Sequence, residues 1–395
     1  STVWCRMRVA GLCAGIGGIE LGFQRAKGFT TEFLCESWEP ARRVLAVRFG
    51  ITESDIWEDV ATLPSLPDAD VLTAGFPCTD LSQAGRMAGI NGRESGLVSH
   101  VFRLLDDARD RGRMPAWLVI ENVPHMLQLD RGQAMRYLVG ELERLDMRWA
   151  YRVVDSRFTG VPQRRRRVIL VASALHDPRS VLFADDAGEP ADDRYRDDAF
   201  GFYWTEGRLG LGWAQDATPT LKGGSKVGIP SPPAIWVPGE PVGRQLLVPT
   251  IEDAEALQGF PRGWTEPGSA PTRNGPRWKL VGNAVTVGVA EWLGRRLKSP
   301  GDAWVDSGEI WDGARSWPTA AWGDAGKVRR IRISEYPELH PYEHLLGVVD
   351  TRTAEPLTHR GAAGFWSRLQ RGNLGRYPGF REAVSEHVAA THPDA

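Results

Sequence analysis

The chain has few cysteines, no long apolar stretch and almost no net charge, and each shortage removes a class of protein. Of 395 residues only Cys5, Cys13, Cys35 and Cys78 are cysteine, all in the first fifth of the chain. They form no C-x-x-C pair and have no His-x-His companion, so neither a disulfide framework nor a zinc site is indicated and no metal is expected. Apolar runs such as "AWLVIENV" and "RRVILVAS" fall far short of the roughly 20 residues a membrane-spanning helix needs. With no signal-peptide core at the start, a cytoplasmic protein without a membrane partner is expected, and a monomer. A formal net charge of -2 gives no global pull toward nucleic acid, so a polyanion must be met by local basic patches such as Arg164 to Arg167. What is present, 42% hydrophobic and 25% charged residues over this length, suffices for a large packed domain plus at least one smaller one.

From Arg8 the sequence reads strand, glycine turn, helix: "RVAGL", "CAGIGG", "IELGFQRAK". "TEFLCE" follows as a strand and "PARRVLAVRF" as a helix opened by proline. "ADVLTAGFP" is another strand, "HVFRLLDDARDR" a helix, "AWLVIENV" a strand, "AMRYLVGELERL" a helix, and "YRVVDSRF" and "RRVILVAS" two further strands. Apolar strands alternating with amphipathic helices predict an α/β fold, a mostly parallel sheet covered on both faces. After Ser173 the rhythm stops, in an acidic run over 185–198 and the Gly- and Pro-dense "GGSKVGIPSPPAIWVPGEP". We expect a catalytic and cofactor domain over 1–173, completed by 279–298. A recognition region with its return segment takes 174–278, its irregular part over about 174–248. The tail over 299–395, which holds five tryptophans, reads as a folded C-terminal extension of unassigned role.

The glycine turn lets backbone approach a ligand at the carboxyl end of the first strand, although a tight turn with no ligand has the same composition. Glu36 ends the second strand, where a carboxylate can take both hydroxyls of a ribose, and Asp55-Ile56 follows where an adenine would lie; each acid alone could be a surface charge. Cys78, directly after Pro77 at a strand's carboxyl end, has three readings: buried filler, metal ligand without partners, or nucleophile needing donors or a cation to form its thiolate. Glu121 of "IENV" adds a carboxylate just after an apolar strand, a place where a lone glutamate more often serves as a helix cap or salt-bridge partner. In "VPQRRRRV" strand alternation sends Arg165 and Arg167 to one face and Arg164 and Arg166 to the other, so one pair can hold a phosphate or carboxylate while the other is solvated.

In this order and spacing, "CAGIGG", Glu36, Asp55-Ile56, "GFPC", "RESGL", "IENV", "VPQRRRRV", "LQGFP" and "LVGNAVTV" resemble the cytosine-C5 DNA methyltransferases, from about Arg8 to Leu297. The resemblance implies a Rossmann-like, S-adenosylmethionine-dependent sheet domain with a small target-recognition domain, acting on double-stranded DNA. It implies that Cys78 adds to C6 of a flipped-out cytosine, that Glu121 holds the N3 and amino edge, and that Arg165 and Arg167 orient the base and its phosphate. Cofactor contacts fall to Cys13, Ala14, Gly15, Ile16, Gly17, Gly18, Glu36, Ser37, Asp55, Ile56, Gly75, Phe76, Pro77, Leu97, Asn283, Ala284 and Val285. DNA contacts fall to Ser82, Gln163, Arg165 and Thr250. Three positions depart from the family pattern: Cys13 in place of a phenylalanine, Thr79-Asp80 in place of Gln-Pro, and Glu252-Asp253 in place of Arg-Glu, where a phosphate or scaffold contact could be missing. The alternatives are a related tRNA cytosine methyltransferase, which the separate recognition segment disfavours, and a catalytically silent relative, which the retained Cys78 and Glu121 disfavour.

Overall fold

A computed structural model describes residues 6–77, 96–224, 231–269, 275–302, 308–313 and 316–393. The chain folds as two compact units. The first gathers Ser1–Asp155, Arg166–Glu189 and Val285–Glu338, and the second gathers Ser156–Arg165, Pro190–Ala284 and Leu339–Ala395.

In the first unit the alternation of apolar strands and amphipathic helices produces β1 (Met7–Leu12), α1 (Gly18–Ala26), β2 (Phe29–Cys35), α2 (Glu39–Phe49), β3 (Val71–Ala74), α3 (Leu97–Asp110), β4 (Trp117–Asn122), α4 (Gln133–Arg144), β5 (Arg148–Asp155) and β6 (Arg166–Ser173). β2, β1, β3 and β4 lie side by side and parallel, and β3 and β4 show no exposed residue, as expected of strands covered on both faces. The sheet is not parallel throughout. β6 enters between β4 and β5 and runs antiparallel to both. Its connection to β5 is the stretch 156–165, shorter than the dozen or so residues of a parallel crossover. This reversal brings the start of β6 to the edge where β4 ends, with Asn122 opposite Val168.

α5 (Val287–Lys298) lies on α1, where a side chain on Gly22 would collide with Ala290. The sheet then gains β7 (Glu309–Ile310), β8 (Ala320–Asp324) and β9 (Lys327–Arg330), in the order β7-β9-β8-β5-β6-β4-β3-β1-β2. Gly323 of β8 lies so close to the Trp149 indole that a Cβ would stand 2.2 Å from it. The tail, expected as one extension, is thus divided: its first part widens the sheet and the rest, from Leu339, belongs to the second unit.

The second unit is built on a five-stranded antiparallel sheet of two- and three-residue strands, ordered Glu355–Pro356, Leu246–Val248, Ala234–Trp236, Phe200–Phe202, Trp213–Gln215. Strands this short carry little periodicity, which is why the segment reads as irregular. Helices His359–Gly372 and Phe380–Ala390 contribute Phe365 and Phe380 to an aromatic core with Phe202 and Trp236. A buried carboxylate ties distant parts together: Asp216 accepts from the Arg196 and Leu345 amides and pairs with His344. Among the described residues no helix is long and apolar enough to cross a membrane, and no cluster of His, Cys, Asp and Glu could hold a metal.

Candidate active site

The site is assembled at the carboxyl edge of the parallel strands of the first unit. β1 ends at Leu12 and the chain turns through Cys13 (φ 56°), Gly15 (φ 58°) and Gly17 (φ 81°) into α1. Left-handed backbone suits the glycines and strains Cys13. Gly17 admits no side chain, since a Cβ would meet the Phe49 ring at 2.3 Å, whereas nothing lies within 4 Å of a Cβ on Gly15. The turn thus has one wall packed and one open. Its amides are fixed: Ala14 donates to the Cys35 carbonyl at 3.1 Å and Gly17 to the Ala14 carbonyl at 3.0 Å. Ile16 and Gly18 are buried.

Glu36 stands at the end of β2 with its two oxygens on two amides, Gly15 N–H and Trp38 N–H, each at 2.8 Å. Burial pushes its carboxyl above the usual range, and these two donors pull against that. The next loop returns along β2, Trp57 donating to the Leu34 carbonyl and Glu36 donating to that of Trp57, which sets Asp55-Ile56 beside Glu36. Ile56 is buried with Leu34 and Leu45 against Ala14, and Asp55 and Ser37 are exposed. An open glycine wall, a carboxylate with spare lone pairs and an apolar Ala14–Ile56 contact fit a ligand with a ribose and an adenine.

β3 delivers Gly75, Phe76 and Pro77 to the same edge, the Gly75 amide donating to the Leu12 carbonyl at 3.3 Å. Phe76 is buried and Pro77 exposed. Asn122, at the end of β4, donates from Nδ2 to the Phe76 carbonyl at 2.9 Å and accepts from the Val123 amide, so it fastens the chain two residues before Cys78. Cys78 and Ser82, with Thr79-Asp80, lie outside the described residues. Leu97, half-buried, opens α3.

The antiparallel β6 brings Arg167 to Glu121: Nε and Oε1 are 2.8 Å apart, with both residues less than a tenth exposed. Burial presses the guanidinium's pKa down from its ordinary value while the Glu121 carboxylate presses it up. The alternation read from the four arginines holds. Arg165 and Arg167 are buried, Arg164 and Arg166 exposed, and Arg166 pairs with Glu335.

Several residues expected at ligand contacts are engaged with the chain itself. Arg165 was placed on base and phosphate; here its guanidinium, 1% exposed, donates to the carbonyls of Leu221 (3.1 Å), Gly282 (3.0 Å) and Ala284 (2.7 Å) inside the second unit. Gln163 was placed on DNA; it is fully buried, donating to the Leu257 carbonyl and accepting from the Leu221 amide. Thr250, also placed on DNA, caps the helix Ile251–Leu257 in a reciprocal box with Asp253. The Glu252-Asp253 departure does not cost the scaffold its contacts: Glu252 pairs with Arg277 and Asp253 with Arg262. Asn283 and Ala284 close the helix Gly275–Asn283 within the second unit, and Val285 is the first residue back in the first. Sequence reasoning passed over Asn122, whose signal was its place beside Glu121 in "IENV". Cys35 is a buried thiol pushed up to about 12 by burial and by the nearby Glu36 and Asp59 charges, too weakly acidic to act as a nucleophile.

The comparisons agree with this geometry. Residues 7–185 match the family described as C-5 cytosine-specific DNA methylase. Type II methyltransferase M2.BsuMI of Bacillus subtilis strain 168 is 43% identical over 376 residues, 92% of this chain and 94% of that one. Type II methyltransferase M.NlaX of Neisseria lactamica is 25% identical over 334 residues, 74% of this chain and 96% of that one. Among solved structures, the S. pombe Dnmt2 methyltransferase superposes with a TM-score of 0.52 at 16% identity, covering 73% of this chain and 97% of that one, which speaks to the fold alone.

Proposed function

We propose, from the premise that this chain belongs to the C-5 cytosine-specific DNA methylase family, that Cys78, Glu121 and Arg167 form its reaction centre. The protein is a DNA (cytosine-5-)-methyltransferase. The observation that carries the residue assignment is the buried Glu121–Arg167 pair at the same sheet edge as the glycine turn and Glu36.

S-adenosylmethionine, when bound, supplies a methyl group on a sulfonium. Ala14 to Gly18, Glu36, Ser37, Asp55 and Ile56 would hold it, with Gly75 to Pro77 along one wall and Leu97 nearby. The Cys78 thiolate adds to C6 of cytosine, forming an S–C6 bond and moving the C5=C6 electron pair onto the base. Glu121 holds the N3 and amino edge and shares the proton that N3 takes up. Arg167 holds Glu121 in register through Nε, and since Nη1 donates to the Arg166 carbonyl at 2.7 Å, Nη2 is the donor left for the base. C5 then takes the methyl carbon as the methyl–sulfur bond breaks and leaves its electron pair on sulfur, N3 returns its proton to Glu121, the C5 proton leaves to a base, and the S–C6 bond breaks to restore the double bond and the thiolate. The cytosine must leave the stack for any of this. We assign the reading of duplex sequence to the second unit, and the relatives' Type II designation supports a modification role.

Duplex DNA and methyl-labelled cofactor test the reading directly. Label is expected in cytosine C5, lost in Cys78→Ser, and a duplex carrying 5-fluorocytosine at the target should remain bonded to Cys78, because no proton can leave C5. Label in tRNA with none in DNA would overturn it.

A further inference from the structure

Glu20 is a carboxyl that neither the fold nor the reaction accounts for. It occupies the third position of α1, whose N-terminal cap is Gly17 of the cofactor turn. It is 1% exposed, and neither oxygen has a hydrogen-bond partner in another residue. An acid at this position of a helix often reaches back to the amide of the cap residue, but the Gly17 amide is already given to the Ala14 carbonyl. The carboxyl instead lies over Gly11 of β1, one residue before the strand's last: a Cβ on Gly11 would stand 2.5 Å from its Oε1, with Leu34 on the other side. The strand has no side chain there and Glu20 fills the space.

The groups around it are of the wrong kind to satisfy it. β1 offers Gly11, β2 offers Leu34, and α5 meets α1 through Val287, Ala290 and Gly294. Glu36 is the charged neighbour it feels, and it is of like sign. Glu36 is itself engaged with the Gly15 and Trp38 amides, whereas no other residue donates to Glu20, its own backbone amide being the donor that reaches its carboxyl. Burial, helped by the Glu36 charge, pushes the Glu20 carboxyl up to about 7. A buried carboxyl beside a ligand turn, with no donor or cation from any other residue, is matched by a ligand that brings one.

We propose that Glu20 is the counter-ion for the ammonium group on the amino-acid end of the adenosyl cofactor, meeting it directly or through one water. This rests on the cofactor assignment above. In it Glu36 and Glu20 divide the ligand: one carboxylate takes the ribose hydroxyls, the other the cation at the far end. Glu20 acts on binding and placement, with no part in the bond-making at cytosine.

Calorimetric titration of the full chain separates the possibilities, using two probes: S-adenosylhomocysteine, which carries the ammonium, and 5′-methylthioadenosine, which lacks the amino-acid end. Glu20→Leu is expected to weaken S-adenosylhomocysteine by roughly tenfold or more. Its affinity for 5′-methylthioadenosine should stay unchanged and its melting temperature should not fall. Glu20→Gln, which keeps the shape and one acceptor, should show a smaller loss and serves in place of Glu20→Leu should that variant fail to fold. Unchanged S-adenosylhomocysteine affinity in the variants would overturn the proposal, and so would equal weakening of both probes, which would make Glu20 a support of the turn. Failure of the wild-type chain to bind either probe would instead sink the cofactor assignment.

Discussion

Arg165 and Arg167 stand two residues apart in one sequence run, both buried, and the two units use them for opposite ends. In the second unit Arg165 is consumed by three backbone carbonyls from segments more than 50 residues away in the chain. In the first, Arg167 meets one carboxylate at a sheet edge and one carbonyl, that of Arg166, and keeps Nη2. The same contrast holds more widely. Buried polar groups of the second unit such as Gln163 and Asp216 tie loops that short strands cannot hold by themselves. The first unit has a nine-stranded sheet for that purpose, and the buried acids at its carboxyl edge, Glu20, Glu36 and Glu121, are the ones we propose for ligands. The first unit has such a fastener too, since Arg152 donates to the Leu182, Asp185 and Ser334 carbonyls, but its sheet lets it set aside charges at one edge.

The sharpest way to break this contrast is to remove each arginine in turn. Arg165→Met strands three buried carbonyls and should cost the second unit roughly 3–5 kcal/mol, read as a lowered urea midpoint for its tryptophans. Arg167→Lys keeps a charge by Glu121 but loses the planar fork, so methyl transfer should fall roughly 100-fold while the urea midpoint moves little. If the two variants gave the same outcome, the division of labour would be wrong.

Glu20 supplies a test by pH. Its carboxyl sits at about 7 when folded, against an ordinary value of 4.5. Between those values the unfolded chain gives up a proton that the folded chain retains, so stability drops as pH rises through this window and is level above it. Glu20→Gln removes the drop. Relative to wild type without cofactor, it should be about 2–3 kcal/mol more stable near pH 8 and unchanged near pH 4. A variant no more stable at either pH would mean that the carboxyl ionises freely where it lies. The smallest effect is expected at Thr250→Ala, which removes a helix cap and should cost about 1 kcal/mol while leaving affinity for short duplex DNA intact.

The strand and helix alternation of the first 173 residues was legible because each element is long enough to show its period. The direction of β6 was not, since hydrophobic pattern carries no sign; only the shortness of 156–165 hinted at a reversal. At the site, the turn, Glu36, Glu121 and Arg167 were legible from residue type at strand ends. The intrachain bonds of Gln163, Arg165 and Thr250 were not legible, because polarity in a sequence does not say whether the partner is nucleic acid or the chain's own backbone. Glu20 was passed over as an ordinary acid in a first helical turn. Its spacing to Phe23 and Ala26, both buried, places it on the inward face, and that was the available signal.

The chain moves between the two units at five points, after Asp155, Arg165, Glu189, Ala284 and Glu338. On the proposed assignment of sequence reading to the second unit, preference does not reside in any single exchangeable cassette. Grafting 190–284 from a relative would leave the host's Gln163 and Arg165 to find new carbonyls, and the host's Glu355–Pro356 to pair with a foreign Leu246–Val248. A chimaera with altered target preference needs all three pieces, 156–165, 190–284 and 339–395, taken from one parent.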